Sequence, residues 1–466
     1  MAAGCTRTSP CNGLMPIAQR HESTTSLPVS DGLSRRALLL TGAAAAFSVG
    51  STGAHAQQAR WWDHLQGFGD GPALVPEQPP RSPEALDDLK PDSVPWRSDA
   101  MLAVMDAAIT RVEALVAGGG CPRISGGQLL RVSDDDDRVA ALKQRLGRSG
   151  LLRGSTGYFS STTFDERLET AVRTFQAQFG LRVTGRVDRA TLAELNVPAD
   201  ARVAQLKLNR RRIQDLLRDR VEDRHVFVNA AAYQLEAVER HEVHRRHRVI
   251  VGKPDRQTPA IKAAIRALNF FPSWHVPDSV ARLDLIPRLR KEPEYLEVEH
   301  IRALTPAGAM LDARSIDWNI ADAKRIRFRQ DPGLRNALGL VRIDMPNDDI
   351  VYMHDTPMKP LFNQRQRAFS AGCVRVQDVF QLVEWIARPQ AGWEQPGHAE
   401  QIVQAAQPVT VKLTRAVPVY FSYLTAWAEG DGLAVFRPDI YRRDGIREVA
   451  GGQDPDASTP PQTLSP

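Results

Sequence analysis

The sequence predicts an α+β protein of several domains: a small three-helix module, then a mainly antiparallel, sandwich-like β-domain carrying a helical insertion. Three observations point there. At 466 residues the chain is too long for one ordinary core, and its 42% hydrophobic content is globular rather than membrane-like. Between residues 137 and 195 apolar side chains recur every three or four positions, the period of a helix. Beyond residue 224 short alternating runs take over with few long helices between them, which favours antiparallel strands over a crossover α/β pattern. The net charge of +5 is small for this length, and no basic block interleaved with aromatics appears, so nucleic acid is excluded as a partner.

The N-terminus, residues 1–56, reads as an export signal. Ser34-Arg35-Arg36-Ala37-Leu38-Leu39-Leu40 is a twin-arginine pattern, an apolar stretch runs on to about Val49, and Ala54-His55-Ala56 offers small residues for cleavage before Gln57. An apolar stretch of about 13 residues is too short to span a ~30 Å hydrocarbon core, so no transmembrane anchor is expected. Four arginines and two acids precede the cleavage point, leaving the mature chain near +3, and Cys5 and Cys11 go with them. Cys121 and Cys373 remain, and both are expected to be free thiols.

Residues 57–130 form a Pro-, Asp- and Gly-rich linker (with Trp61-Trp62 as an isolated apolar spot) and a helix near 99–117 holding Met101, Val104, Met105, Ala108, Val112 and Leu115. Gly118-Gly119-Gly120 breaks it. Residues 131–198 are the helical module. Asp137 is expected to cap a helix with Val139, Leu142 and Leu146; a second helix holds Leu168, Val172, Phe175 and Phe179; Asp188 opens a short third with Leu192 and Leu195. Residues 199–223 read as a connecting helix. The β-domain spans 224–443, with strands at His225–Asn229, Arg248–Val251 and Pro408–Leu413. Inside it, about 277–326 is helical, charged and studded with prolines. Residues 444–466 read as a disordered tail.

The chemistry concentrates near the end of the β-domain. Phe369-Ser370-Ala371-Gly372-Cys373-Val374-Arg375 places a lone thiol between a glycine and a valine–arginine pair, and His354 stands 19 residues upstream. A free thiol is only a few per cent thiolate at neutral pH, so a nucleophilic cysteine needs a base and nearby positive charge. His354 can serve as general base and acid, and Arg375 as the charge that orients the loop or draws a substrate carboxylate. Gly372 permits a tight turn where main-chain N–H groups could meet an oxyanion, and Ser370 positions that loop.

The run S-A-G-C-V-R resembles the S-x-G-C-x-R signature of the L,D-transpeptidase catalytic family, and His354-Asp355-Thr356-Pro357 resembles its histidine context. Val251–Pro259, Trp274-His275-Val276-Pro277, Asn336–Gly339 and Pro418–Tyr441 are similar to further parts of its longer members. Many members carry histidine where this chain has Ala371. Ala171–Leu192 resembles the peptidoglycan-binding domain family. The resemblance implies a catalytic domain with a lid formed by the insertion, peptidoglycan stem peptides as substrates, and carbapenems as covalent inhibitors. It also implies D-alanine release and a 3→3 cross-link through a Cys373 thioester, in the periplasm. Water as acceptor would make the same site an L,D-carboxypeptidase, and a non-catalytic wall-binding scaffold is the remaining alternative.

No cofactor or metal is implied. The four aspartates Asp134–Asp137 lack the glycine and distal glutamate of a calcium loop, and His241 and His244 are three apart rather than the four a zinc helix needs. The segment from His241 to His247 is expected to be an exposed hairpin. Ser370, preceded by Ala368 and Phe369, does not form a nucleophile elbow.

Overall fold

The computed structural model describes Leu89 and residues 94–449, so the export signal, Trp61-Trp62 and most of the tail lie outside the described residues. Helix α1 (Asp99–Ala117) starts where the Ser98 side chain accepts the Met101 N–H and ends at Gly118. Its buried face, Met101, Met105, Ala108 and Ile109, packs with Leu206 and Ile213 of a second long helix, and with Trp96. The linker is therefore structured from residue 94. Trp96 stacks edge-on against Trp427 at 5.6 Å, and the buried Arg97 pairs with Glu222 at 2.7 Å.

The module comes next, as α2 (Asp137–Arg148), α3 (Thr156–Ser160), α4 (Glu166–Gln178) and α5 (Arg189–Leu195), before the connecting helix α6 (Ala199–Leu216). The caps show how sequence sets these ends: Asp165 accepts Leu168 N–H and Asp188 accepts Thr191 N–H. At α2 the cap is Asp136, one residue before the expected Asp137, because Asp136 holds both the Arg138 N–H and its guanidinium. The short α3 is not evident from sequence; five residues are too few to show a helical period. Val139, Leu142, Leu146, Leu168, Val172 and Phe175 form the core as expected. Phe179 does something else. It stacks on Phe175 at 4.1 Å and on Phe436 at 5.0 Å, joining the module to the β-domain.

Among the described residues the β-domain holds fourteen strands: β1 (Arg224–Asn229), β2 (Gln234–Glu239), β3 (Glu242–Gly252), β4 (Ile261–Phe270), β5 (Trp274–His275), β6 (Ile301–Leu304), β7 (Arg327–Gln330), β8 (Val341–Asp344), β9 (Met353–His354), β10 (Ala368–Ser370), β11 (Val374–Val376), β12 (Val409–Ser422), β13 (Ala426–Ala428) and β14 (Ala434–Phe436). The main sheet runs β10-β3-β11-β9-β8-β4-β12-β1-β2, and a further β2–β3 pairing closes it into a ring. Most neighbours are antiparallel, as expected; β1–β12, β3–β10 and β9–β11 are parallel. The strands of this sandwich-like domain form one continuous closed sheet, a closure that alternation along each strand does not by itself announce.

The β2–β3 hairpin turns at Arg240 and His241, both with positive φ, so His241 and His244 belong to a hairpin and not a helix. It is only partly exposed. Arg246 is paired with the buried Glu236 at 3.0 Å, and His247 is buried with its Nδ1 against the Gln377 carbonyl at 2.9 Å. The insertion is likewise not purely helical. It holds α7 (Asp278–Val280), α8 (Ile286–Leu289) and α9 (Tyr295–Val298), but also strand β6, which pairs with β7 just beyond it in a three-stranded sheet ordered β5-β7-β6. The expected tail begins later than residue 444. Asp444 is buried against Arg212 at 2.7 Å, and Val449 packs with Val197 and Ala201.

Candidate active site

The site is built by two short parallel strands. In β9 and β11, Met353 faces Val374 and His354 faces Arg375 across the ladder. Side chains alternate along a strand, so Tyr352 and His354 share one face with Cys373 and Arg375. The run of sequence around the thiol and the run around the histidine are thereby brought side by side. Three of the four are deep in the domain, with His354 0% exposed, Arg375 2% and Cys373 7%, while Tyr352 is half-buried.

One neighbour of the thiol is absent from the sequence reading. Tyr352 stands beside Cys373 at the start of the β9–β11 ladder, and its main chain and hydroxyl pull the thiol down, against burial. The Tyr352 ring lies edge-on to His354 at 5.8 Å, with the Arg342 guanidinium over it at 5.5 Å. Its position two residues before His354 on a strand was the available signal, since that spacing fixes a shared face. The Trp274 indole N–H is close to the Tyr352 hydroxyl but makes no hydrogen bond of ordinary geometry.

Electrostatics set a neutral resting state. Burial pushes the Cys373 thiol up to about 11, outweighing Tyr352 and the Arg375 charge, which pull it down. Burial, reinforced by the Arg375 charge, pulls His354 down to about 3. Arg375 itself is lowered to about 10, again by burial. At neutral pH the pair is thus a protonated thiol and a neutral imidazole. Arg375 is present as the expected positive charge, but it does not overcome burial to give a preformed thiolate.

Asp355 does not orient His354. Its carboxylate accepts the Leu340 N–H at 3.0 Å and pairs with Lys359. The imidazole instead sits against the main chain of Asp355 and Leu338, with no side-chain partner among the described residues.

The turn beneath the sulfur is held from several sides. Gly372 has φ of +126°, a conformation L side chains rarely adopt, and its N–H donates to Ser370 Oγ at 3.1 Å. Ser370 Oγ donates in turn to the Cys373 carbonyl at 2.5 Å, so its side chain bridges the two ends of the turn. The Gly372 amide, expected near an oxyanion, is engaged by Ser370. The Gly372 carbonyl accepts from Thr258 Oγ1 at 2.9 Å, and that hydroxyl accepts the Gly252 N–H at 2.9 Å. A Cβ at Gly252 would fall 2.1 Å from the Arg256 carbonyl, so only glycine fits there. Tyr441 closes the lock by donating to the Gly252 carbonyl at 2.7 Å and accepting the Thr258 N–H at 3.3 Å.

This lock makes a prediction. Thr258→Val keeps the shape but strands two buried main-chain groups, at about 1–3 kcal/mol each. The urea midpoint is expected to fall accordingly with the slope unchanged. A variant as stable as the parent would show that the turn is held otherwise.

The insertion reaches this site directly. Tyr352, Ala337 and Ala371 pack against an apolar core built from Leu285, Leu289 and Trp318 of the insertion together with Trp274 and Phe328 beside it. Ala371, next to the thiol turn, is thus a contact for this core. Cys121, in contrast, lies far away in sequence and contact, beside Arg145 of the module, and both cysteines are free.

A ring of strands around one buried thiol, with histidine and arginine on its face, defines a cysteine-centred β-domain. Residues 223–411 match the YkuD family, described as the L,D-transpeptidase catalytic domain, and residues 135–195 match the family described as "Putative peptidoglycan binding domain". The chain carries an L,D-transpeptidase catalytic domain behind a peptidoglycan binding domain. It is 34% identical over 220 residues to a Haemophilus influenzae protein named "Putative L,D-transpeptidase", a match covering 47% of this chain and 44% of that protein. The chain therefore matches less than half the length of this curated relative. Among solved structures, an L,D-transpeptidase from Xylanimonas cellulosilytica is 14% identical, with 64% of this chain and 99% of that chain covered and a TM-score of 0.21. One from Mycobacterium smegmatis is also 14% identical, covering 43% and 58%, with a TM-score of 0.21. Scores this low carry no part of the assignment, which rests on the family matches.

Proposed function

We propose that the chain is an L,D-transpeptidase that forms 3→3 cross-links in peptidoglycan through Cys373. The observation carrying this reading is the shared face of Cys373 and His354 on neighbouring strands inside a domain of this family. Cys373 Sγ attacks the carbonyl at the L-centre of the third stem residue. Because the resting thiol is protonated, its proton passes to the neutral His354 as the C–S bond forms. The Tyr352 hydroxyl, which favours the thiolate, steadies the charge that develops on the sulfur. Collapse of the tetrahedral intermediate breaks the C–N bond, His354 returns the proton to the leaving amine, and D-alanine departs. The amine of a neighbouring stem's third residue then attacks the thioester and restores the thiol. Arg375 supplies fixed positive charge at the buried site, and Ser370, Gly372 and Thr258 hold the turn that aims the sulfur.

The packing of Ala371 and Tyr352 on the insertion supports its reading as a lid over this site. Incubation with disaccharide-tetrapeptides separates the readings by product. Cross-linked dimers are expected; tripeptide monomers alone would make the enzyme an L,D-carboxypeptidase, and unchanged substrate would leave a scaffold.

The two wall-directed domains support a wall-associated, periplasmic location, and no helix among the described residues is long and apolar enough to cross a membrane. The twin-arginine route is proposed from Arg35 and Arg36. Replacing both by lysine keeps the charge but removes the paired guanidiniums. The double variant is expected to accumulate as cytoplasmic precursor in cell fractions. Normal maturation would point to the general secretory route.

A further inference from the structure

A second cavity lies where α1, the helical module and the β13–β14 hairpin meet. It encloses about 320 Å³, within the range of small-ligand sites. Its charge is one-sided. Arg111, Arg145, Arg148 and Arg202 line it, against the single carboxylate of Glu194. Glu194 is already spent on Arg202, with which it forms an ion pair. The other three guanidiniums bond to main-chain carbonyls: Arg111 to Gly432 at 2.9 Å, Arg145 to Val197 at 2.9 Å, and Arg148 to Gly120. Among the described residues, no carboxylate pairs with any of these three.

The same cavity has an apolar wall, with Leu115, Leu151 and Phe175 among its lining. Burial pulls the Arg145 guanidinium below its ordinary value, with the Arg202 charge pushing the same way and Cys121 and Glu194 opposing it. Like charges gathered at an apolar surface repel one another, and a bound anion would offset that repulsion. Guanidiniums suit carboxylates in particular, through paired N–H donors.

We propose that this cavity binds a small amphiphilic ligand with several carboxylates, the chemistry of a peptidoglycan stem peptide with its alanine methyls. The cationic and apolar character of the site stands on the structure alone; the choice of stem peptide rests on the wall-directed reading above. The ligand would sit where the module meets the catalytic domain, away from Cys373. Each of the three surrounding elements contributes to its walls, so occupancy would tie the module to the domain.

Cys121 lines the cavity and is half-buried, which makes it a local reporter. The experiment follows iodoacetamide alkylation of Cys121 by peptide mass spectrometry in the full chain carrying Cys373→Ala, so that the probe is not consumed. Soluble disaccharide-tetrapeptide is expected to slow alkylation at least about fivefold at saturation, as an occupied cavity shields the sulfur. The same probe with its carboxylates amidated, and inorganic phosphate, are expected to protect little. Arg111 and Arg148 are both exposed. Arg111→Ala with Arg148→Ala should therefore fold normally and raise the half-protecting concentration by about tenfold.

No protection by the tetrapeptide at 10 mM (roughly the weak limit for a specific small ligand) would overturn the proposal. So would equal protection by the amidated probe or by phosphate, or protection indifferent to the two arginines. Cross-linking by the unsubstituted chain is read separately. Cross-linking without Cys121 protection removes this site alone, and protection without cross-linking leaves the site and removes the transpeptidase reading.

Discussion

Cys373→Ala is expected to lower peptidoglycan turnover by at least about 10³-fold, because loss of a covalent nucleophile removes the reaction path and not a contact. The fold should survive. Cys373 occupies little volume, and the turn around it is held by Ser370, Thr258 and Tyr441 rather than by the sulfur. The stability loss should stay near ~1 kcal/mol, within the ordinary range for a single substitution. Circular dichroism and a urea titration check the fold, and muropeptide chromatography checks turnover. Persistent dimer formation by a well-folded Cys373→Ala protein would show that the nucleophile lies elsewhere.

The parts of this site that were legible in sequence are those carried by local spacing. Ser370, Gly372, Cys373 and Arg375 stand within six residues, and His354 lies on a short run whose neighbours are strand formers. The module was legible for the same reason, since Leu168, Val172 and Phe175 repeat with the helix period while Asp165 and Asp188 cap α4 and α5. The hidden parts depend on contacts across long stretches of chain. The bond from Tyr441 to Gly252 spans 189 residues, and nothing near either residue announces it. Closure of the ring through β2 and β3 is a matter of tertiary pairing, which alternation cannot reveal. In the insertion, β6 has only four residues, too few to show a clear period, so charge and proline content gave a helical reading. Trp96 and Arg97 were hidden in another way: they are core residues within a stretch whose overall composition is that of a linker.

Burial of Cys373 and His354, also invisible in sequence, changes what the pH profile should look like. Carbapenem acylation by the full chain is expected to add one inhibitor mass at Cys373, by the resemblance of its strained carbonyl to the scissile one. A histidine at its ordinary pKa would give an inflection near ~6.5. His354 is held at about 3, so it stays neutral and competent as a base from pH 5 upward, and no such inflection is expected. The thiol, held at about 11, remains protonated throughout that range. His354→Ala should slow acylation by about 10²–10⁴-fold at pH 7, the usual worth of a general base. Without the base, attack depends on the thiolate fraction, which grows about tenfold per pH unit below the thiol's pKa. The deficit should therefore shrink steadily as pH rises towards 11 (the direction follows from the raised thiol alone), and not level off near 8.5 as for a free cysteine. Intact-mass time courses from pH 5 to about 10 measure both enzymes without a coupled assay. An inflection near 6.5 in the parent would mean that substrate meets a hydrated, titrating imidazole. Unchanged rates in His354→Ala at pH 7, or an adduct on Ser370, would remove His354 and Cys373 from the roles proposed for them.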